Sequence, residues 1–466
     1  MASKHLSFVN ISHPDEGRSR DVKASVRRHV MADIGRSRRK RAKYRIITLQ
    51  ITAGETAPDA KPVNTTAVEP TPIGRMPPSF QTFLVNSDAR ACELINFMAA
   101  EADYTYRPFR TSWFKIGLSD STAFDLWLAQ AVVIRNSITN EDTAASPWAE
   151  EYLDSLEANK YYFKSLNQLA HRLSNRDDCM SNGVIATIMG FICVDTRVGS
   201  WDRFSVHMDG LERIYKLRNG FDGLDSEIPL MTFWVDLMGA SMLDRYPRFP
   251  MPTHLNNSPR VTCEDDVPRT LRTLLRRAER VAPQGKRIYT MLQMMAPVVA
   301  MVNREANDPL FWTQYVFLVE ELGAVSHFVL SVPKSPEDDM ETGYSVFLVQ
   351  RMVQLACLMI ISELKRQAYF HWADMGLLRD RLVSLLRGPH YKLPAELEML
   401  RLWAIVTAQS LTLPELQESF LVEARRSMIA LGYNTAEQAI ECAKGIIWLE
   451  SINPIAWGSL VLSCDV

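Results

Sequence analysis

The sequence predicts an all-α protein, in which a large helical body follows a basic N-terminal segment and a disordered linker. Glycine accounts for 20 of the 466 residues, which is below the roughly 7% of average proteins and disfavours a turn-rich sheet. From about residue 80 onward, apolar side chains recur at the three- and four-residue intervals of amphipathic helices. The Asn-Gly pairs at 182–183 and 219–220 lack flanking alternating strands, so they do not predict β-hairpins.

The N-terminal segment, residues 1–47, contains three short parts. An apolar piece at 8–11 precedes a predicted helix at 21–34, which Asp21 can cap. Gly35 weakens this helix, and a cationic run follows it. Four apolar residues at four-residue intervals form a narrow stripe along the predicted helix: Val22, Val26, Val30 and Ile34.

This segment carries a charge opposite to that of the rest of the chain. Residues 18–45 hold twelve arginines and lysines against Asp21 and Asp33, which gives a net charge of +10. Because the whole chain has a net charge of −2, the remainder carries −12. Such a split predicts a polyanionic partner for the segment and a different role for the body.

The cationic run at 36–45 is the candidate site of the segment. It fits the pattern of a nuclear import signal, which needs an exposed cluster of positive charge on a flexible chain. It also suits non-specific contact with DNA phosphates, which carry no sequence information. A solvated basic end without a partner is the alternative to an import receptor or DNA. The cations are Arg36, Arg38, Arg39, Lys40, Arg41, Lys43 and Arg45.

Residues 48–79 are predicted to form a disordered linker, because six prolines and many Thr and Ala residues interrupt any helical pattern. The body, 80–466, is predicted to be a series of helices with a candidate subdivision at the connection 247–268. Asp120 or Ser119 is expected to cap the first of the following helices. They are predicted at 123–137, 147–169, 184–194, 207–217, 230–243, 270–281, 287–306, 310–330, 343–370, 377–386, 395–410, 414–430 and 436–450.

The sequence lacks the motifs of common catalytic and metal sites, so we expect no enzyme, no cofactor and no metal site. There is no GxxxxGK[ST], no GxGxxG after a strand, no GxSxG and no HExxH. The closest two of the seven cysteines lie 14 residues apart, which favours reduced thiols of an intracellular protein. His171 and His207 are single histidines in helical patterns, and we expect both to be structural.

No uninterrupted stretch reaches the roughly 20 apolar residues of a membrane-spanning helix. The most apolar stretches, at 291–302, 348–361 and 445–462, each contain a proline, charged or amide residue. We therefore expect no membrane anchor. The first stretch is rich in methionine, which predicts core packing or, alternatively, a groove for a partner helix or a small hydrophobic ligand. Its methionines are Met291, Met294, Met295 and Met301.

A set of short motifs runs through the chain, from 8–14 and 27–31 near the start to Arg-Pro-Phe at 107–109. The most specific stretch joins Trp201 to His-Met-Asp-Gly-Leu-Glu-Arg at 207–213 and Leu-Arg-Asn-Gly at 217–220. Together they resemble the fungal-specific transcription factor domain proteins, in particular the helical subgroup often labelled the tachykinin family. The resemblance implies a structural role for its motif positions. These are Trp201, His207, Gly210, Leu211, Arg218 and Gly220.

The chain departs from the family pattern in three places. The family motif GRxDPF is degenerate at 74–80, where Gly-Arg is followed by Met-Pro-Pro-Ser-Phe. The expected Arg-Gly-Gly reads Arg218-Asn219-Gly220, and we expect the turn to persist because Asn tolerates the left-handed conformation. Relatives carry a zinc binuclear cluster of six cysteines near the N-terminus, whereas this sequence has no cysteine before Cys92.

The resemblance implies a nuclear transcriptional regulator that controls a fungal gene set through its helical regulatory domain, without a zinc cluster of its own. It implies further partners, either another transcription factor or a second copy in a dimer. A helical interaction or ligand-sensing scaffold that does not bind DNA is the alternative function. A metabolic enzyme is the third alternative, for which the sequence offers no substrate.

Overall fold

The computed structural model describes residues 89–101, 109, 117, 120–139, 155–221, 223, 224, 227–253, 255, 266–336, 343–368, 374–388, 391–411 and 418–451. Within these residues the chain forms fourteen α-helices and two short 3₁₀-helices, and none of them lies in a β-strand. The all-α prediction is therefore confirmed. The basic segment 1–47 and the linker 48–79 lie outside the described residues, so their boundaries stay predictions.

The helices are numbered in chain order. They are α1 (Ala89–Glu101), α2 (Ser121–Thr139), α3 (Leu156–Leu173), α4 (Asn182–Val198), α5 (Trp201–Arg218), α6 (Glu227–Leu243), α7 (Arg269–Val281), α8 (Lys286–Glu305), α9 (Tyr315–Ser331), α10 (Tyr344–Gln367), α11 (Asp374–Leu386), α12 (Ala395–Leu411), α13 (Glu418–Leu431) and α14 (Ala436–Lys444). The 3₁₀-helices are Pro283–Gly285 and Phe311–Thr313.

Helix α2 lies at the centre of the N-terminal half, where it packs against α1, α3 and α4. Asp120 is its cap, as predicted, because its Oδ1 accepts the backbone N–H groups of Thr122 at 2.9 Å and Ala123 at 3.2 Å. Trp127 on the buried face of α2 is fully inaccessible to solvent. The capped start and this buried face together fix the helix in the core.

Helix α3 begins later than the predicted helix 147–169. Its first residue is Leu156, because Ser155 has an extended backbone and its hydroxyl accepts the N–H of Ala158 at 3.3 Å. A serine in this position accepts a backbone N–H of the first helical turn, which has no partner within the helix. The predicted continuation through Ser155 is therefore wrong, and residues 147–154 lie outside the described part.

In the C-terminal half, α10 packs against α8, α9, α11 and α12. It is the one described helix that is long and apolar enough to span a membrane, but 89% of its most apolar window is buried within the body. That burial is typical of the central helix of a globular core. Pro297 lies inside α8 without ending it.

Several predicted helices differ from the structure at their ends. The predicted helix 207–217 is the later part of α5, which begins at Trp201. The predicted helix 310–330 is a 3₁₀ turn followed by α9, and the turn is tied down by Trp312, whose indole N–H donates to the carbonyl of Ala306 at 3.0 Å. The predicted helix 436–450 ends at Lys444. Beyond it, side chains bind the backbone: Trp403 donates to the carbonyl of Ile447, and Asn303 donates to that of Trp448, both at 2.8 Å.

Within the described residues, the C-terminal helices contact both the connection 247–268 itself and the helix before it. His327 on α9 lies with its Nε2 3.2 Å from the carbonyl oxygen of Phe249. Ser241 on α6 donates to Asp374 on α11 at 3.0 Å. The subdivision of the body near this connection stays a prediction.

Candidate functional site

The most specific family motif forms helix α5 and its two ends. Trp201 is the first residue of α5 and packs edge-on against Phe204, with ring centroids 5.4 Å apart. Leu211 is fully buried in the core. Gly210 is half-buried, and a Cβ added to it would meet no atom within 4 Å. The helix therefore presents a tightly packed inner face and, at Gly210, an open position.

His207 is bound to a carboxylate in the interior. Its Nδ1 lies 2.6 Å from Oδ2 of Asp195, which is fully buried on α4. The Nε of Arg203 lies 3.1 Å from Oδ1 of the same carboxylate. Burial raises the pKa of Asp195, while His207 and then Arg203 act in the opposite direction. His207 and Arg203 of α5 thus hold the buried Asp195 of α4, and these contacts fix the packing of the two helices.

Aromatic rings surround this group. The imidazole of His207 stacks on Phe191 with centroids 5.0 Å apart, and Tyr162 on α3 meets Phe191 edge-on at the same distance. Burial raises the pKa of Tyr162 to about 12. These contacts pack His207 between α4 and α5, and its structural role stays a prediction.

The C-terminal end of α5 contains the other two motif positions. Asn219 has a left-handed backbone with φ 60°, and the N–H of Gly220 donates to the carbonyl of Tyr215 at 2.9 Å. This is a Schellman-type helix end, so the predicted turn at Asn219 is present. Arg218 donates from Nη1 to the carbonyl of Met180 at 2.6 Å and thereby joins the end of α5 to the start of α4.

The acidic residues of the motif hold the segment that follows α6. The guanidinium of Arg248 pairs with Asp209 and lies 3.3 Å from a carboxylate oxygen of Glu212. The backbone N–H groups of Arg248 and Phe249 donate to the carboxylate of Asp236 at 2.7 and 3.0 Å. Burial nevertheless raises the pKa of Asp236 to about 6, because desolvation outweighs the two backbone donors.

A second polar network joins α6 and the residue after it to α10 and α11 of the C-terminal half, and the sequence analysis predicted no site there. Arg351 on α10 pairs with Asp244 and donates to the amide oxygen of Gln354 at 2.5 Å. Lys365, also on α10, is buried above the ring of Trp234 at 5.1 Å. Burial lowers the pKa of Lys365, although nearby Asp374 acts in the opposite direction. This network fixes α6, α9, α10 and α11 relative to each other.

The methionines of α8 lie in the core or against it. Met291 and Met295 are fully buried, and Met294 and Met301 are half-buried and pack against the core. Core packing, the first of the two interpretations, is the one the structure supports. A recess lined by α10, α11, the segment between α11 and α12, and Arg401 of α12 has a volume of about 30 Å³, enough for one or two water molecules.

The described residues contain neither a group of metal ligands nor a disulfide. They contain no group of three or more His, Cys, Asp or Glu side chains that could hold a metal ion. The five cysteines in this part of the chain, Cys92, Cys179, Cys193, Cys357 and Cys442, form no disulfide. Burial raises the pKa of the Cys193 and Cys357 thiols well above the usual range, which makes them unreactive.

The cationic run from Arg36 to Arg45 lies outside the described residues, so its role stays a prediction. A different cationic surface was missed by the sequence analysis: the outer face of α7, which carries five arginines. Charge counted along each predicted helix, instead of over the whole chain, would have revealed it.

Comparison with curated proteins and with solved structures finds no match for this chain. A family model described as the fungal specific transcription factor domain matches residues 94–268. The match starts within α1 and ends at the residue before α7, so it contains α5 and all six motif positions. The narrower subgroup label stays a prediction. The family resemblance itself is confirmed: residues 94–268 of this chain are similar to the fungal specific transcription factor domain.

Proposed function

We propose that this protein is a nuclear transcriptional regulator that controls a fungal gene set through its helical body. The observation that carries the proposal is the match of residues 94–268 to a transcription factor domain. That similarity favours a regulator over an enzyme. The fixed packing of α4, α5 and α6 suits a domain that transmits binding events, since its helices are joined by buried polar contacts.

In this proposal the cations at 36–45 bind a nuclear import receptor and contact DNA phosphates. Replacing Arg38, Arg39, Lys40 and Arg41 by alanine should move a fluorescent fusion of the full chain out of the nucleus. The matched control removes four cations of the same segment: Arg18, Arg20, Lys23 and Arg27. Equal nuclear accumulation of both variants would contradict the import role of residues 38–41.

The regulatory role has its own test. The full chain fused to an unrelated DNA-binding domain should change transcription of a reporter gene that carries the matching site. A fusion that binds the site without changing transcription would contradict the regulatory role. Chromatin occupancy of the chain with and without the residues before Thr48 separates DNA contact by the basic segment from recruitment through the body.

A helical interaction scaffold that never contacts DNA is the second candidate. It is favoured by large apolar side chains on the outside of α3 and α5, where Phe163 is 55%, Val206 67% and Leu217 64% exposed. Exposed apolar residues of this size suit contact with another protein. The partner would be a second copy in a dimer or another transcription factor. Salt-titrated binding to random duplex DNA distinguishes the candidates, because a scaffold of this kind shows no affinity even at low salt.

A further inference from the structure

Helix α7 has two chemically opposite faces. Its inner face is formed by Leu271, Leu274, Leu275 and Ala278, all of which are buried. At 3.6 residues per turn, the arginines point away from this face within an arc of about 140°. They extend over about 16 Å of helix, at 1.5 Å per residue. The arginines are Arg269, Arg272, Arg276, Arg277 and Arg280.

These arginines have no partner within the part of the chain that the structure describes. Arg272 is half-buried and the other four are exposed. None of the five side chains forms an ion pair or donates a hydrogen bond to a described residue. Arginines elsewhere in the body behave differently: Arg172, for example, pairs with both Asp120 and Asp178. The cations of α7 are thus available to a ligand.

The charge of this surface contrasts with that of its surroundings. Residues 269–287 contain seven arginines and lysines against Glu279, a net charge of +6. Since the chain outside 18–45 carries −12, the residues outside both segments carry −18. A strongly acidic body with one cationic helix face directs a polyanion to that face and repels it elsewhere.

We propose that the arginine face of α7 binds the phosphate backbone of duplex DNA. Arginine suits this role because its planar guanidinium donates two hydrogen bonds to one phosphate and keeps its charge at any physiological pH. A helix of this width is accepted by the major groove, which is about 12 Å wide and has phosphates along both edges. Because the arginines are spread over a wide arc, they can reach the phosphates along both edges of the groove. An acidic peptide lying along α7 would contact only one row of these arginines. The binding is independent of base sequence.

This inference rests on the proposed role in transcription, and it gives the body a DNA contact separate from the basic segment. The test measures binding of the full chain to a random 20-base-pair duplex across a salt series. Replacing Arg272, Arg276 and Arg280 by glutamine should reduce the slope of log K against log salt by about 2.7, or 0.9 per lost phosphate contact. The ratio of the affinity at 50 mM salt to that at 200 mM salt should then be about 40-fold smaller for the variant than for the unmodified protein.

The matched control replaces Arg176, Arg213 and Arg245 by glutamine. These three arginines are exposed, as Arg276 and Arg280 are, and their side chains have no partner among the described residues, but they lie on other elements. Both variants lose three positive charges, so a general charge effect would reduce the slope equally in both. A reduction confined to the α7 variant supports the proposal. Equal slopes for the two variants would overturn it.

Polyglutamate is the second probe, since an acidic protein is the other polyanion that suits this face. Loss of polyglutamate binding in the α7 variant, with the DNA slope unchanged, would overturn the proposal in favour of an acidic protein partner. Circular dichroism confirms that each variant keeps its helices. If the reporter gene does not respond but the salt slope changes as expected, the regulatory function is contradicted. The proposed DNA contact of α7 is then still supported.

Discussion

Phe204 on α5 packs directly over Gly239 on α6. A Cβ added to Gly239 would overlap Cε1 and Cζ of the Phe204 ring, which is itself buried. The glycine therefore sets the distance at which the two helices cross. Because Phe204 also contacts Trp201, this crossing connects the start of the family motif to the core.

Replacing Gly239 by alanine should destabilise the protein by about 1–3 kcal/mol. Helix propensity alone would favour alanine, but the new methyl group requires a buried aromatic ring or a whole helix to move. Chemical denaturation monitored by circular dichroism measures the change in free energy of unfolding. A free energy equal to or above that of the unmodified protein would show that the crossing can relax.

Gly210 provides the matched substitution, because it is also a helical glycine but faces open space. Gly210→Ala should stabilise the protein by about 0.5–1 kcal/mol, since alanine restricts the unfolded chain and favours the helix. Destabilisation by this substitution would contradict the open position. Loss of reporter regulation without loss of stability would indicate that a partner needs the space above Gly210.

Asp236 should make the stability depend on pH. Its pKa in the folded protein is about 6, above its ordinary value of 3.8. A carboxyl group with a raised folded-state pKa stabilises the fold below its unfolded pKa, and this contribution is lost as the pH rises through the folded pKa. We expect a total loss of up to about 3 kcal/mol, at 1.36 kcal/mol per pKa unit, of which about 2 kcal/mol falls between pH 4 and pH 6.

The isosteric variant Asp236→Asn isolates this effect from other titrating groups. Its amide oxygen can still accept the N–H groups of Arg248 and Phe249, but it does not titrate. The difference in free energy of unfolding between the two proteins should therefore shift in favour of the variant as the pH rises from 4 to 6. A difference that is constant over this range would mean that the pKa of Asp236 is not raised.

Helical periodicity predicted most of the fold, because most body helices bury a recurrent apolar face, although the central helix α10 is buried on all sides. It did not locate the ends of helices that depend on long-range contacts. The predicted helix 436–450 stops at Lys444, since Asn303 and Trp403, both distant in sequence, bind the backbone that follows. The early start predicted for α3 failed for a local reason, because Ser155 is a capping residue in the middle of a pattern that looks continuous.

The candidate site was predictable only in part. The motif around His207 and Arg218 could be recognised in the sequence, but its partner Asp195 could not, since a single aspartate in an apolar helix gives no sign of its contacts. The network around Arg351 and Asp374 combines residues more than 100 positions apart, Asp244 and Ser241 among them. Such pairs follow from the packing of helices and not from local spacing.

Asn219 should be replaceable by glycine but not by alanine. Its φ of 60° lies in the left-handed region, where a β-carbon costs about 1–2 kcal/mol in most residues and glycine has no such cost. Asn219→Ala should therefore lower the free energy of unfolding by about 1 kcal/mol, while Asn219→Gly should leave it equal or slightly higher. Thermal and chemical denaturation of both variants measure the difference. Equal stability of the two would indicate that the helix end changes its conformation.

The His207–Asp195 pair should contribute to stability through a measurable coupling. His207→Ala leaves a fully buried carboxylate with Arg203 as its remaining partner, so we expect a loss of about 2–3 kcal/mol. A double-mutant cycle with Asp195→Ala should give a coupling energy of about 1–3 kcal/mol, because each single variant removes the same contact. His171→Ala, at an exposed histidine of α3, should change stability by less than about 0.5 kcal/mol. Additive losses in the cycle would mean that His207 acts through its stacking on Phe191 and not through the carboxylate.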